Sequence, residues 1–306
     1  MNTRKLTRTL LPAAAVLALA LSGCAGGGQS ADEDEPLVLQ FVPTRTDSDM
    51  QAQAQPLASL LSDELGREVQ VTIATDYSTI IEAMAAGQVD IGIMPPATYV
   101  LAHDQGAAEV LLQAQIPAMD PDTATPTDML VDSFRGEIVV RADSGIESLE
   151  DLRGATIAAQ NAASASGYIF PVVELADAGL DIHEDLTITT VAGIDSAILA
   201  VLNGDVDAAF AFEGGRVLLL SEIPDITEQV SVLYLTENRI PNDAIAVQPS
   251  MDADLKQQVK DAFLAIAADP EGHEIVSSLY SHQGYAEADQ AAYDIVREYT
   301  ERAGDL

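Results

Sequence analysis

One pattern occurs twice in the chain and restricts its fold more than any other feature. IIEAMAAGQVDIGIMPP (80–96) and AILAVLNGDVDAAFAFE (197–213) each run from an apolar helix through Gly, a spacer, Val and Asp into a strand. Gly87, Val89 and Asp90 match Gly204, Val206 and Asp207 at a constant offset. A helix that turns tightly into a strand is one part of a β-α-β unit. Two such units, far apart in sequence, imply two lobes built alike. Pro96 and Glu213 then take corresponding places just past a strand's carboxyl end, where open α/β sheets hold ligands.

The rest of the chain alternates in the same way. LVLQFVP (37–43) reads as a strand stopped by Pro43. Leu57, Leu60, Leu61 and Leu65 lie on one face of a helix ended by Gly66. VQVTIA (69–74) is a strand, and Thr75 and Asp76 are N-cap candidates for a helix through Tyr77, Ile80, Ile81 and Met84. VDIGIM (89–94) is the next strand, and 97–104 the next helix. Residues 116–136, dense in Pro, Asp and Thr, are expected to be a loop crossing between lobes. A second series follows: strands at 137–142, 155–159, 186–191, 206–212 and 230–235, an N-cap at Ser148 with Asp151, and a helix over 195–203. IPND (240–243) breaks this series, and AIAVQ (244–248) returns to the first lobe. Helices are expected at about 252–268, 271–281 and 287–302. The expected fold class is α/β with largely parallel sheets in two lobes, 37–130 with 244–306 and 131–243.

QNAASASGYIFPVVELADAG (160–179) follows the strand at 155–159 and opens a helix near Ser166 through small residues. Backbone N–H groups and the Ser164 and Ser166 hydroxyls at such a helix start can bind an anion without a basic side chain. The same residues also serve simply as caps. A second helix start, near Tyr77 and Ser78, is expected to face it across a cleft.

Composition limits the partners. The 306 residues carry 49 acidic and 14 basic side chains, a formal net charge of −35, which leaves no basic patch for nucleic acid. Residues 1–23 have Arg4, Lys5 and Arg8 ahead of a short apolar run, and Leu21-Ser22-Gly23-Cys24 follows. This is a lipoprotein signal peptide pattern; cleavage before Cys24 and acylation there would anchor the protein outside the cytoplasm. Residues 24–36 read as a flexible tether. Cys24 is the only cysteine, so no intrachain disulfide can form. His103, His183, His273 and His282 share no ligand spacing and are read as solvated, with no metal and no cofactor expected.

Several stretches, in order and spacing, resemble one family. They are PLASLLSDELGREVQVTIATDYSTIIEAMAAGQVDI (56–91), PPATYVLAHD (95–104), IVVRADSGIESLEDLRGATIA (138–158), SASGYIFP (164–171), AILAVLNGDVDA (197–208) and IPNDAIAV (240–247). The chain resembles the PhnD-type substrate-binding lipoproteins of phosphate, phosphite and phosphonate ABC importers, over about residues 37–299. The resemblance implies a two-lobed type II periplasmic-binding-protein fold, a non-enzymatic protein and a permease–ATPase partner; a monomer is assumed. It implies Tyr77 and the loop Ser164, Ala165, Ser166 and Gly167 as ligand groups.

The chain departs from the family pattern at several ligand positions. Ala165 stands for a Thr, Phe134 for a Tyr, Ile194 for a His, and Phe212-Glu213 for a Tyr-Asp pair. Charge-assisted hydrogen bonds are each worth about 1.5–3 kcal/mol, so losing two would weaken a dianion by about 10³-fold or more. A ligand with a polar or anionic head and an apolar or amine-bearing tail is therefore expected, with Glu213 available to a cationic end. Two other readings stay open: a lipoprotein sensor, and a serine hydrolase. The second lacks a G-x-S-x-G elbow.

Overall fold

The computed structural model describes residues 35–42, 50–120 and 122–306. The signal segment, Cys24, nearly all of the tether and Pro43 lie outside the described residues.

The first series is β1 (Leu37–Phe41), α1 (Met50–Leu65), β2 (Val69–Ile73), α2 (Tyr77–Ala85), β3 (Ile91–Met94) and α3 (Pro96–Asp104). A hairpin of β4 (Glu109–Met119) and β5 (Pro126–Val131) follows, and the chain crosses through β6 (Ser133–Phe134). The second series is β7 (Gly136–Arg141), β8 (Thr156–Ala159), α4 (Phe170–Asp177), β9 (Thr187–Thr190), α5 (Ile194–Asn203), β10 (Ala208–Phe212), α6 (Ile226–Gln229) and β11 (Val230–Leu235). It returns through β12 (Ile240–Pro241) to β13 (Ala244–Val247), α7 (Ala253–Ala268), α8 (Pro270–Tyr280), β14 (Gly284–Glu287) and α9 (Asp294–Asp305).

The strands form two large sheets ordered β14-β4-β13-β3-β1-β2, with β5 beside β4, and β11-β7-β10-β8-β9. The two share a plan. In each, three strands pair in parallel (β3-β1-β2 and β10-β8-β9) and a strand that follows a crossing, β13 or β7, adds antiparallel to them. The sheets are thus mixed, with a parallel half and an antiparallel half. The crossings β6 and β12 pair with each other, Phe134 opposite Ile240.

The repeated sequence pattern is a repeated device. Gly87 and Gly204 take the left-handed conformation (φ 72° and 74°) that lets each helix turn into its strand. Asp90 Oδ2 accepts the Val38 amide at 2.8 Å while the Asp90 amide donates to the Val38 carbonyl. Asp207 does the same with Thr156, also at 2.8 Å. Each Asp therefore pins the start of the neighbouring parallel strand.

Two expectations fail. Residues 116–136 are mostly strand, because β5 is an edge strand paired only with β4, and an edge tolerates Pro126 and the exposed Asp128. The last helix does not start at 287: β14 ends there, and the Asp289 carboxylate caps a short 3-10 turn at Gln290–Tyr293 before α9. Ser148 and Asp151 do form a capping box, but on a single 3-10 turn.

α9 with the 3-10 turn before it spans both series. Tyr293 packs edge-on to Tyr99 of α3 (centroids 4.8 Å apart), and Arg297 pairs with Asp104. Further along, Tyr299 stacks on Phe170 of α4 at 4.2 Å, and Arg302 pairs with Asp177.

Candidate functional site

α2 starts the way its sequence predicts. Asp76 is the N-cap, and its Oδ1 accepts the amides of Ser78 and Thr79 at 3.0 and 2.9 Å and both their hydroxyls. These bonds, that of the Ser78 hydroxyl foremost, hold the Asp76 carboxyl below the ordinary range. They also correct the sequence reading: this helix start is already occupied by its own carboxylate. Ser78 spends its hydroxyl on Asp76 and does not line the cavity; Tyr77 does.

The 160–179 stretch opens as a wide π-type turn, Ala165–Ile169, that leads directly into α4. Ser164 Oγ accepts the Gly167 amide at 3.2 Å. A Cβ on Gly167 would lie 2.4 Å from Gln160 Cγ. Gly167 is therefore a packing glycine behind the loop, not part of the cavity wall as the sequence reading had it. Ser164, Ala165 and Ser166 are all buried and all on the wall.

One cavity of about 200 Å³ collects most of the predicted residues: Tyr77, Pro96, Phe134, Ser164, Ala165, Ser166, Ile194, Phe212 and Glu213. They come from α2, α3, the crossing β6, the π turn, α5 and the end of β10, so residues of both large sheets' surroundings meet there. Pro96 and Glu213, paired by the internal repeat, both line it. Phe134 stands on the ribbon between the two series.

The sequence reading missed other wall residues. Ile116, Pro117 and Met119 come from β4, and Val217 and Leu218 from the 3-10 turn after β10. Asn242, Asp243, Tyr280 and His282 come from the return crossing and the end of α8. IPND was read as a break and as part of the family pattern, not as the source of a wall residue: an Asp placed right after a crossing reaches the cleft. His282 overturns the solvated reading of the histidines. It is 1% exposed, stacks on Tyr280 with ring centroids 5.1 Å apart, and puts Nε2 3.4 Å from Asp243 Oδ2.

The electrostatics follow from the wall. Burial pushes the Tyr77 hydroxyl up, and the Asp243 carboxylate adds to that; the Ser164 hydroxyl facing it works the other way. Burial, with Asp243 next, raises Tyr280 further. Glu213 Oε2 accepts the Arg135 amide at 3.0 Å and sits 3.9 Å from Arg239 Nη2. Among the described residues no Lys or Arg lines the cavity, whereas two carboxylates do. A phosphonate dianion would meet the Asp243 charge with the neighbouring hydroxyls, amides and main-chain groups to offset it. Among the described residues no cluster of His, Cys, Asp and Glu could hold a metal ion.

A pair of like-built α/β halves with a cavity at their junction is the type II periplasmic-binding-protein fold. Solved structures share it. The binding-protein component of an ABC phosphonate transporter from Pseudomonas aeruginosa superposes with a TM-score of 0.74 at 21% identity, covering 89% of this chain and 88% of that one. A Prochlorococcus marinus PhnD1 structure in complex with methylphosphonate gives 0.70 at 17% identity, over 89% and 100%. In sequence, the phosphate-import protein PhnD of Mycolicibacterium smegmatis is 32% identical over 214 residues, 66% of this chain and 64% of that protein's length. The family model for the ABC-transporter phosphonate periplasmic substrate-binding protein matches residues 39–293. The chain belongs to that family.

Proposed function

We propose that this protein is an extracytoplasmic solute-binding lipoprotein, anchored through Cys24, that captures a small solute between its two lobes and presents it to an ABC permease–ATPase complex. In this reading residues 37–130 with 244–306 form one lobe and 131–243 the other, and the protein works as a monomer without a cofactor and without turnover. Tyr77 and the Ser164–Ser166 loop hold the polar head. Phe134, Ile194 and Phe212 pack against the rest of the solute. The observation that carries the reading is the convergence of Tyr77, Ser164, Phe134 and Phe212, from four separate elements, on one cavity.

The wall favours a solute less charged than a phosphonate dianion, with an apolar or amine-bearing part. Asp243 and Glu213 oppose a dianion and favour a cation. Isothermal titration against phosphite, methylphosphonate and 2-aminoethylphosphonate tests this. The expected order has 2-aminoethylphosphonate tightest, because only it brings an ammonium group to Asp243 and Glu213, and phosphite weakest. Tight phosphite binding would refute it.

A further inference from the structure

We propose that Met119 is a specificity-determining residue of this cavity: it closes the apolar wall against Gly214 and limits the length of apolar group a solute can carry. The inference deepens the solute-binding reading and rests on it.

Met119 is the last residue of β4, and the β4–β5 register slips between Pro117 and Met119, an irregularity of the kind that re-aims a side chain. The turn beyond it is tied down. The Asp120 amide donates to the Thr125 carbonyl, the Ala124 amide donates to the Asp120 carbonyl, and Asp120 Oδ1 accepts the amides of Asp122 and Thr123 at 3.0 and 2.9 Å. Ala124 is fully buried with φ 54°, a conformation a non-glycine residue keeps only where its surroundings enforce it. Met119 stands at the inner edge of this hairpin.

The surface that receives Met119 is equally fixed. A Cβ on Gly214 would lie 2.8 Å from Met119 Cε and 2.9 Å from its Cβ and Cγ, so the methionine side chain lies along the bare glycine. Gly214 has φ 79°, and its amide donates to Glu137 Oε2 at 3.0 Å, from a carboxylate only 1% exposed. Val217 and Leu218, just past Gly214, line the cavity with Ile116 and Pro117 of the hairpin. Two pieces from distant parts of the chain therefore meet through one side chain at an apolar wall. A longer apolar group must displace that side chain. The wall selects a solute bearing a short aliphatic group and rejects a bulkier one.

The test uses the full chain, titrated with n-alkylphosphonates and n-alkylamines from methyl to hexyl, in wild-type, Met119→Ala and Met119→Leu forms. Each methylene added should tighten wild-type binding about four-fold until the wall is reached, after which affinity falls. In Met119→Ala the optimum should move to longer chains, and in Met119→Leu it should stay within one methylene of wild type. Thermal melts confirm that all three forms are folded. An optimum unchanged in Met119→Ala, with binding intact, overturns the role of Met119 alone. Failure of every compound in both series to bind wild type overturns the solute reading and this inference together.

Discussion

At the residue scale, glycine positions and one buried acid set the site's tolerances. Gly167→Ala would place a methyl 2.4 Å from Gln160 Cγ, and Gln160 is itself held through its amide nitrogen to the Gly193 carbonyl at 3.1 Å. Overpacking of this kind costs about 1–3 kcal/mol, so thermal denaturation should show a clear loss of stability. Glu137 behaves oppositely to an ordinary surface acid. Burial pushes its carboxyl up to about 7, against the pull of the Gly214 amide and the Arg216 charge, with the Glu213 carboxylate adding to the rise. A folded-state value raised above the unfolded one stabilises the protein below the unfolded value, near 4.5, and that stability is lost as pH rises through about 7. Wild type should therefore lose more stability than Glu137→Gln between mildly acidic and neutral pH in denaturant titrations. Equal losses would show that Glu137 does not carry this pH dependence.

At the element scale, the Asp90 and Asp207 staples are the structural meaning of the internal repeat. Asp90→Ala removes the acceptor of the Val38 amide at the start of a central parallel strand and should cost about 1–2 kcal/mol. Asp207→Ala should cost less, since Asp207 is exposed and Asp90 is half-buried. Urea unfolding of the two variants measures the difference. The repeat was legible in sequence because a left-handed turn needs Gly and a backbone acceptor needs a short carboxylate, and both residue types stand at fixed spacing. Elements fixed by local periodicity, such as α1, α2, α5 and β1–β3, were legible for the same reason. The β4–β5 hairpin was not. Its Pro117 and Pro126 are tolerated only through its place at a sheet edge, a tertiary fact with no local signature. The burial of His282 was hidden likewise, because it depends on Tyr280 and Tyr285 closing round it after the chain has returned from the second series. Ser164 and Ser166 stood out by local pattern and Tyr77 by the family resemblance; Met119 and Asp243 join the wall through long-range placement alone.

At the scale of the whole molecule, α9 ties the two series together away from the cavity. The Tyr299 hydroxyl donates to Glu174 Oε1 at 3.2 Å and accepts from Asn238 Nδ2 at 2.7 Å. Glu174, 5% exposed, also accepts the Tyr234 hydroxyl and the Glu237 amide at 2.8 Å each. Tyr299→Phe should remove about 1–2 kcal/mol from a buried carboxylate network while leaving the stacking on Phe170 in place, which calorimetry can read as a lowered melting temperature. The network lies apart from the cavity wall, so the variant should retain ligand binding. The central claim concerns the cavity: an acidic, largely apolar junction that holds a small organic solute by hydroxyls and main-chain groups. Its most direct test is mass spectrometry of whatever is released when the protein, purified from its own cells without denaturation, is unfolded. The account predicts a small organic molecule with a polar head and a short apolar or amine-bearing part, whereas recovery of inorganic phosphate or phosphite alone would contradict it.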